Sequence, residues 1–364
     1  MLNPLAKDLD SVLRQTAPLW HELRGGRLFI SGGTGYFGCW LLETFLWAND
    51  RLELGAEVTV LGRDFSKFLA KAPHLATHPA VHFIQGDVRS FRFPSGQFTH
   101  VIHAATDSTA PADANDTVDV AVIGTRRMLK FAAKCGAKRF LFTSSGAVYG
   151  PQPASVDQIP EWFEGEPSTA YGEGKRTAEE LCLSYAAKHG FDVTIARGFA
   201  FIGPYLPIDA HFAAGNFIRD ALEGGPIQVN GDGTPLRSYL YASDLATWMW
   251  TILFRGQSRR AYNVGSEEAI SIAELAHCIK EFCVPDASVR VGKAAKNIQR
   301  YVPSTLLART ELGLRQTVSL GDAIRRTYHY HLRATHRDER QEEITWQKSR
   351  SETRTSAMAG RVSS

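Results

Sequence analysis

The stretch R-L-F-I-S-G-G-T-G-Y-F-G, Arg27 to Gly38, decides how the rest of the chain is read. A short apolar strand pattern over residues 27–31 runs into three glycines spaced by two residues, Gly32, Gly35 and Gly38. An apolar pattern of helical period then continues through Trp47. A strand that turns through glycines into a helix presents backbone N–H groups and a helix N-terminus at one point, which is what a pyrophosphate needs. Gly32 permits the turn, Gly35 lets the backbone approach closely, and Gly38 lets the helix pack on the strand. Tyr36 and Phe37 lie inside the same turn and count with it as cofactor-binding residues. Glycines cluster in ordinary loops too; the strand before and the helix after are what mark a dinucleotide site.

The pattern repeats outward from this turn. Further strands are expected at 57–61 (EVTVL), 81–84, 100–103, 138–143 (KRFLFT) and 191–196 (FDVTIA), with helices at 118–135 and about 168–189, closed by Gly136 and Gly190. Strands that are nearly continuous apolar runs, alternating with long helices, imply a parallel, doubly wound α/β sheet covered on both faces. From Arg197 the rhythm breaks and Gly, Pro and aromatic residues become dense until about residue 240. The division expected is an N-terminal amphipathic leader helix over 1–25, with Leu5, Leu9, Val12 and Leu13 at helical spacing, and a dinucleotide-binding domain over 26–198 with a return segment at about 238–265. A smaller, mainly substrate-binding domain over 199–333 and a charged, mobile tail over 334–364 complete it.

Composition narrows the function classes. The formal net charge of +3 and the absence of a Lys/Arg run give no footprint for nucleic acid. No apolar run reaches the roughly 20 residues that cross a bilayer. The five cysteines include no C-x-x-C pair and the histidines no metal-ligand spacing, so no metal is expected. A cytoplasmic protein in a reducing compartment is the reading that follows.

The second strand ends V-L-G-R-D, with Gly62 where an acid would receive a free ribose 2′-hydroxyl. Arg63 there suits a 2′-phosphate, and Asp64 could still turn to a ribose, so NADP(H) is favoured with NAD(H) open. Asp87, with Val88 beside it, follows the third strand where a carboxylate can receive an adenine amino group. Ala104 and Ala105 leave room for the cofactor backbone after the fourth. Downstream, Tyr171 and Lys175 in Y-G-E-G-K share one face of a helix. A phenol is a poor base at neutral pH; a neighbouring ammonium and a cationic nicotinamide favour its ionised form. A serine from the tip of the fifth strand, in F-T-S-S-G-A-V-Y-G over residues 142–150, would hold the substrate oxygen in line.

These residues resemble the extended short-chain dehydrogenase/reductase family, its NAD(P)-dependent nucleotide-sugar epimerases, dehydratases and ketoreductases, over about residues 26–330. The resemblance implies a Rossmann-type fold with a smaller C-terminal substrate-binding domain. It makes Tyr171 the general acid/base, Lys175 the group that lowers its pKa and binds the nicotinamide ribose, and Ser145, four residues before Tyr149, the catalytic hydroxyl. Gly203-Pro204 resembles the loop entering the sugar-nucleotide site, Asn216 the residue touching the diphosphate, and Arg237 the phosphate-binding arginine. Gly146 and Phe217 are grouped with these as substrate-binding, and His211 could contact the sugar or cap a loop. A homodimer through the two long helices is a family expectation.

Gly146 and Ala147 set the chemistry apart. The family's 4,6-dehydratases carry an Asp-Glu pair at these positions, and its UDP-glucuronate decarboxylases a Glu at the second; neither residue here has a proton to give. Dehydration and decarboxylation are disfavoured, although Y-x-E-G-K-R is similar to the decarboxylases' helix motif. What survives is hydride transfer with one proton at a carbinol oxygen. That is a 4-ketoreductase of an NDP-4-keto-6-deoxy sugar or, as the alternative, an NDP-sugar C4 epimerase with tightly bound NAD. A non-catalytic NADP-binding sensor would typically lack the tyrosine or lysine, and both are retained. The chain also departs from the family in having Ala121 where an Asn is frequent, and Ala200 after Arg197-Gly198-Phe199.

Overall fold

Parallel strands covered by helices on both faces need no polar alternation, which is why the strands of the first half read as runs of Val, Ile, Leu and Phe. The protein is described from a computed structural model, over residues 3–106, 114–210, 212–293 and 299–335. The apolar runs become β1 (Arg27–Ser31), β2 (Glu57–Gly62), β3 (Val81–Gln85), β4 (His100–His103), β5 (Arg139–Ser145) and β6 (Asp192–Gly198). Around them lie α1 (Ala6–Thr16), α2 (Tyr36–Arg51), α3 (Phe65–Lys71), α4 (Pro73–Ala76), α5 (Ala114–Cys135) and α6 (Ala170–His189). The remainder comprises β7 (Phe201–Ile202), α7 (Ala213–Leu222), β8 (Ile227–Val229), β9 (Leu236–Arg237), β10 (Leu240–Tyr241) and α8 (Ala242–Arg255). After these come β11 (Arg260–Val264), β12 (Ile270–Ser271), α9 (Ile272–Cys283), β13 (Val289–Val291), β14 (Arg300–Tyr301), α10 (Leu306–Leu312) and a helix over 320–335.

The central sheet has seven strands in the order β3-β2-β1-β4-β5-β6-β11, all parallel. Its seventh strand, β11, lies within the 238–265 segment. Strand order reverses between β1 and β4, and a crevice opens at the carboxyl ends of strands at such a switch point. The register there pairs Ser31 with His103, and further along the sheet Ser145 with Gly198. The helix expected at 118–135 starts earlier, at Ala114, and α6 starts at Ala170 with Thr169 as its N-cap, accepting from Gly172 N. Gly190 closes α6 in the left-handed region, at φ 72°.

Residues 1–25 need a correction: they are not one leader helix. α1 hands over to a 3₁₀ segment, Ala17–Leu23, and both are part of the core. Leu9, Val12, Trp20 and Leu23 are fully buried, because the apolar face of α1 packs on α2 and α8. The Trp20 ring meets Trp250 at 4.7 Å and Phe254 at 5.9 Å. Asp8, on the same helix, is 7% exposed and accepts from Tyr241 Oη at 2.7 Å and from Arg326 Nη1 at 2.6 Å. The last helix continues through Thr335, past the position expected for the start of the tail; the rest of that expected tail, residues 336–364, lies outside the described residues. Among the described residues no helix is long and apolar enough to cross a membrane, and no group of three or more His, Cys, Asp or Glu could hold a metal ion.

Replacing Asp8 with Ala leaves the buried Tyr241 hydroxyl without its acceptor and releases Arg326, at a cost of about 2 kcal/mol. Urea unfolding of Asp8→Ala should show a lower midpoint at unchanged slope. An unchanged midpoint would mean that the helix is held by its apolar face alone.

Candidate active site

The glycine turn is shaped by close approaches. Gly32 has φ +76°, and a Cβ there would lie 2.6 Å from the Ala104–Ala105 backbone. At Gly38 a Cβ would come within 2.3 Å of Gly33, so only glycine lets α2 start against β1. Gly35, by contrast, meets nothing nearer than Gly32 O at 3.4 Å, which leaves its outer side for a ligand. The 16-residue α2 opens immediately after it with its N–H groups directed outward. These residues fit a dinucleotide pyrophosphate: a bare glycine backbone at a helix N-terminus.

The ribose end is arranged differently from a simple acid-at-strand-end site. Asp64 caps α3, its Oδ1 accepting from Lys67 N at 3.0 Å. Arg63 is exposed, and its charge helps hold the Asp87 carboxyl below the usual range, although the larger cause is the Arg89 fork on Asp87 at 2.7 and 2.9 Å. Val88 turns into the core, packed on Gly124 of α5.

β5 delivers the catalytic candidates because its side chains alternate between faces. Ser144 points to α6 and donates to Glu179 Oε1 at 2.5 Å. Ser145 points the other way, and its Oγ accepts from Ala147 N at 3.2 Å. On α6, Tyr171 and Lys175 share the face toward β5: the Lys175 Nζ stands 5.8 Å from the centre of the Tyr171 ring and donates to Thr143 O at 2.8 Å. Burial pushes the Tyr171 phenol up, and hydrogen bonds with Ser145 and Thr106 pull it back. Burial also pulls the Lys175 ammonium down, to about 8. The structure therefore brings Ser145, Tyr171 and Lys175 together.

Several groups around them carried no sequence signal. Thr106 follows the fourth strand without a motif. His103 bridges Ser31 Oγ at 2.7 Å and Thr125 Oγ1 at 3.0 Å, and burial holds it neutral by lowering its pKa to about 3. Its carbonyl accepts from Thr143 Oγ1 at 3.1 Å, and the Thr143 carbonyl in turn receives Lys175, so His103 and Thr143 tie the end of β1 to the Lys175 site. Tyr301 arrives 156 residues after Ser145 and sets its hydroxyl 3.4 Å from the Ser145 Oγ.

On the substrate side, Arg237 is partly buried, donates to Leu236 O at 2.8 Å, and stands 6.0 Å from the Tyr301 ring centre. Asn216 Oδ1, Ser238 Oγ and Tyr36 Oη are buried without a hydrogen-bond partner among the described residues. Phe217 is a correction: it is 3% exposed and packs among Ile202, Ile218 and Tyr239, since the apolar side of α7 faces that core. It has no surface for a substrate. His211 lies outside the described residues.

The doubly wound sheet, with a glycine turn at its switch point and a Ser-Tyr-Lys group at the neighbouring strand, defines an oxidoreductase of the extended short-chain dehydrogenase/reductase type. The chain belongs to the NAD dependent epimerase/dehydratase family, whose model matches residues 28–265. It is similar to UDP-glucuronic acid decarboxylase 6 of Arabidopsis thaliana, 30% identical over 303 residues that cover 82% of this chain and 86% of the relative. UDP-glucuronic acid decarboxylase 1 of Xenopus tropicalis is 28% identical, covering 84% and 72%. Among solved structures, the dTDP-glucose 4,6-dehydratase of Streptomyces venezuelae with NAD bound superposes at a TM-score of 0.72, with 25% identity over 84% of this chain and 96% of that one. The UDP-glucuronic acid 4-epimerase of Bacillus cereus, in complex with UDP-glucuronic acid and NAD, gives 0.73 at 21% identity over 84% and 98%, a likeness of fold.

The buried Lys175 has a consequence for stability. Its folded pKa of about 8 lies below the ordinary 10.5, so between those values the unfolded chain binds the extra proton. Folding stability from this group therefore rises with pH across that window, by on the order of 3 kcal/mol, and is lost as pH falls through 8. The difference in unfolding free energy between cofactor-free wild type and Lys175→Met should grow in favour of the wild type from pH 8 to 10.5. Parallel profiles would remove Lys175 as its source.

Proposed function

We propose that the protein is an NADPH-dependent 4-ketoreductase of a nucleotide-diphosphate 4-keto-6-deoxy sugar. The observation that carries this reading is the pair Gly146-Ala147 directly after Ser145, which offers no acid or base beyond Tyr171. One proton donor suits reduction of a ketone and leaves elimination of water without a second group. The relatives at about 30% identity are decarboxylases by name, yet Ala147 stands where the family resemblance implies a carboxylate in a decarboxylase.

In this reading Gly32, Gly35 and Gly38, with Tyr36 and Phe37 at the start of α2, hold the pyrophosphate. Arg63 takes the 2′-phosphate, the Asp87 side chain and the Val88 backbone face the adenine, and Ala104 and Ala105 leave space along the cofactor. Lys175 holds the nicotinamide ribose. When bound, the dinucleotide supplies the hydride. Ser145 donates a hydrogen bond to the C4 carbonyl oxygen, and Tyr171 gives that oxygen its phenolic proton as the C=O double bond becomes a carbinol. The Lys175 ammonium, close to the ring, stabilises the phenolate left on Tyr171. Arg237, a half-buried guanidinium on the substrate side, holds the diphosphate together with the amide N–H of Asn216. The chain pairs as a homodimer through α5 and α6, which expose Ile123 and Leu183.

A second reading, the C4 epimerase with NAD, is favoured by Asp64. Its capping bond uses Oδ1, and Oδ2 is the oxygen that could accept from ribose hydroxyls. Denaturing the purified protein and identifying any released dinucleotide separates the two. Stoichiometric NAD⁺, with isomerisation of a nucleotide sugar, overturns the reductase. Empty protein that binds NADPH more tightly than NADH, and oxidises it at 340 nm when given dTDP- or UDP-4-keto-6-deoxyglucose, supports it. Tyr171→Phe should then lower kcat by about 10²–10⁴ with dinucleotide affinity retained. Carbon dioxide release from UDP-glucuronate would assign the chain to the relatives' reaction instead.

A further inference from the structure

Tyr301 lies on β14, a two-residue strand held on both sides. It pairs in parallel with β9, placing Tyr301 opposite Arg237. Its other edge meets the 152–159 loop, where Ile159 N donates to Val302 O at 2.9 Å, Ser304 N to Ile159 O at 2.8 Å and Val302 N to Gln152 Oε1 at 2.9 Å. The ring packs against Phe199 in a tilted pair, centres 4.6 Å apart and planes at 34°. Its hydroxyl stands 3.4 Å from Ser145 Oγ and 3.4 Å from Gly198 O. A Cβ on residue 146 would come 2.7 Å from that hydroxyl and 2.7 Å from Phe199 Cζ. The two rings thus occupy the room that a side chain at 146 would need, and Gly146 is what admits them.

We infer that Tyr301 is a positioning residue of the hydride-transfer site: its hydroxyl fills the place beside Gly146 and holds the Ser145 hydroxyl for the substrate oxygen. The role in turnover rests on the ketoreductase reading, whereas the hold on Ser145 does not. Burial pushes the Tyr301 phenol well above its ordinary value, so it stays protonated, with one proton to share between Gly198 O and Ser145 Oγ, both at 3.4 Å; in the inferred arrangement that proton is turned to Ser145. A serine oxygen that receives a hydrogen bond from Tyr301 is a better donor in turn, because linked hydrogen bonds polarise one another. The groups facing Tyr301 are Ser145, Arg237, Tyr149 and Tyr171; those facing Tyr171 are Ser145, Thr106 and Lys175.

The test uses Tyr301→Phe, which keeps the ring and its packing and removes only the hydroxyl. A first readout needs no substrate: carbon-13 NMR of ζ-labelled tyrosine in the full chain with NADP⁺ added, the Tyr171 signal assigned by its loss in Tyr171→Phe. Tyr301→Phe should raise the Tyr171 ionisation by about half a pH unit through weakened donation from Ser145, and should leave it unmoved in a Ser145→Ala background. No shift in either background, or the same shift in both, overturns the proposal. A second readout applies to whichever 4-keto sugar nucleotide is reduced. There kcat should fall about 5–20-fold with KM unchanged, the size of one lost hydrogen bond in the transition state. Gly146→Ala, which pushes the hydroxyl away without deleting it, should reproduce the loss. A KM change with kcat retained would make Tyr301 a binding residue and overturn the positioning role. If none of the sugars is reduced, the ketoreductase reading fails, and the NMR coupling still decides Tyr301.

Discussion

The site hangs from one buried ion pair, Glu179 on α6 with Arg197 on β6. Their side chains are 7% and 16% exposed, and the guanidinium forks onto the carboxylate at 2.6 and 3.0 Å. Taking two charges out of water costs more than their attraction returns unless every remaining donor and acceptor is used. Here the carboxylate also accepts from Ser144, and the guanidinium donates to Tyr149 Oη at 2.7 Å and Glu161 O at 3.1 Å. Tyr149 passes its proton side to Asn263, which binds the Ile159 and Ser304 carbonyls. The end of β5, α6, β6, β11 and the loops that carry β14 are thereby fixed to one another. Glu179 lies one turn beyond Lys175, so the same register that makes this pair also sets the ammonium under Tyr171.

What that scaffold holds is a cluster of neutral hydroxyls around one buried ammonium. Ser145, Tyr171, Thr106 and Tyr301 contribute no charge at neutral pH, and His103 behind them is kept neutral by burial. A pocket of this kind stabilises a developing oxyanion by donation, with little internal field to reorganise. With glycine at 146, the tilted Phe199–Tyr301 pair lines one wall of this pocket with aromatic rings beside the Ser-Tyr-Lys arrangement.

Much of this was legible because it is local. The six strands announce themselves as apolar runs, and the glycine turn is recognisable since Gly32 and Gly38 answer separate steric demands and Gly35 leaves a bare backbone, all within seven residues. Tyr171 and Lys175 sit one helical turn apart, so their meeting follows from helix geometry. Tyr301 could not be read: it reaches Ser145 from a two-residue strand paired with Leu236-Arg237 and followed by a bridge from Pro303 to Ile159, all remote in sequence. Phe217 was misread for a related reason. An aromatic beside Asn216 suggests a binding surface, and only the packing of α7 shows which way the ring turns. The first 25 residues show an amphipathic stripe, but a stripe does not say what covers it.

That covering has a temporal side. α1 finds its partners in α2 and, some 230 residues later, in α8, and Asp8 is satisfied only by Tyr241 and Arg326, the latter 318 positions away. On a ribosome adding about 5–20 residues per second, the apolar face of α1 waits tens of seconds before α8 emerges. A helix made well before its partner is therefore among the last to be locked. A chain stalled before residue 242 would carry a near-complete parallel sheet with an uncovered greasy flank, a species for chaperones to shield.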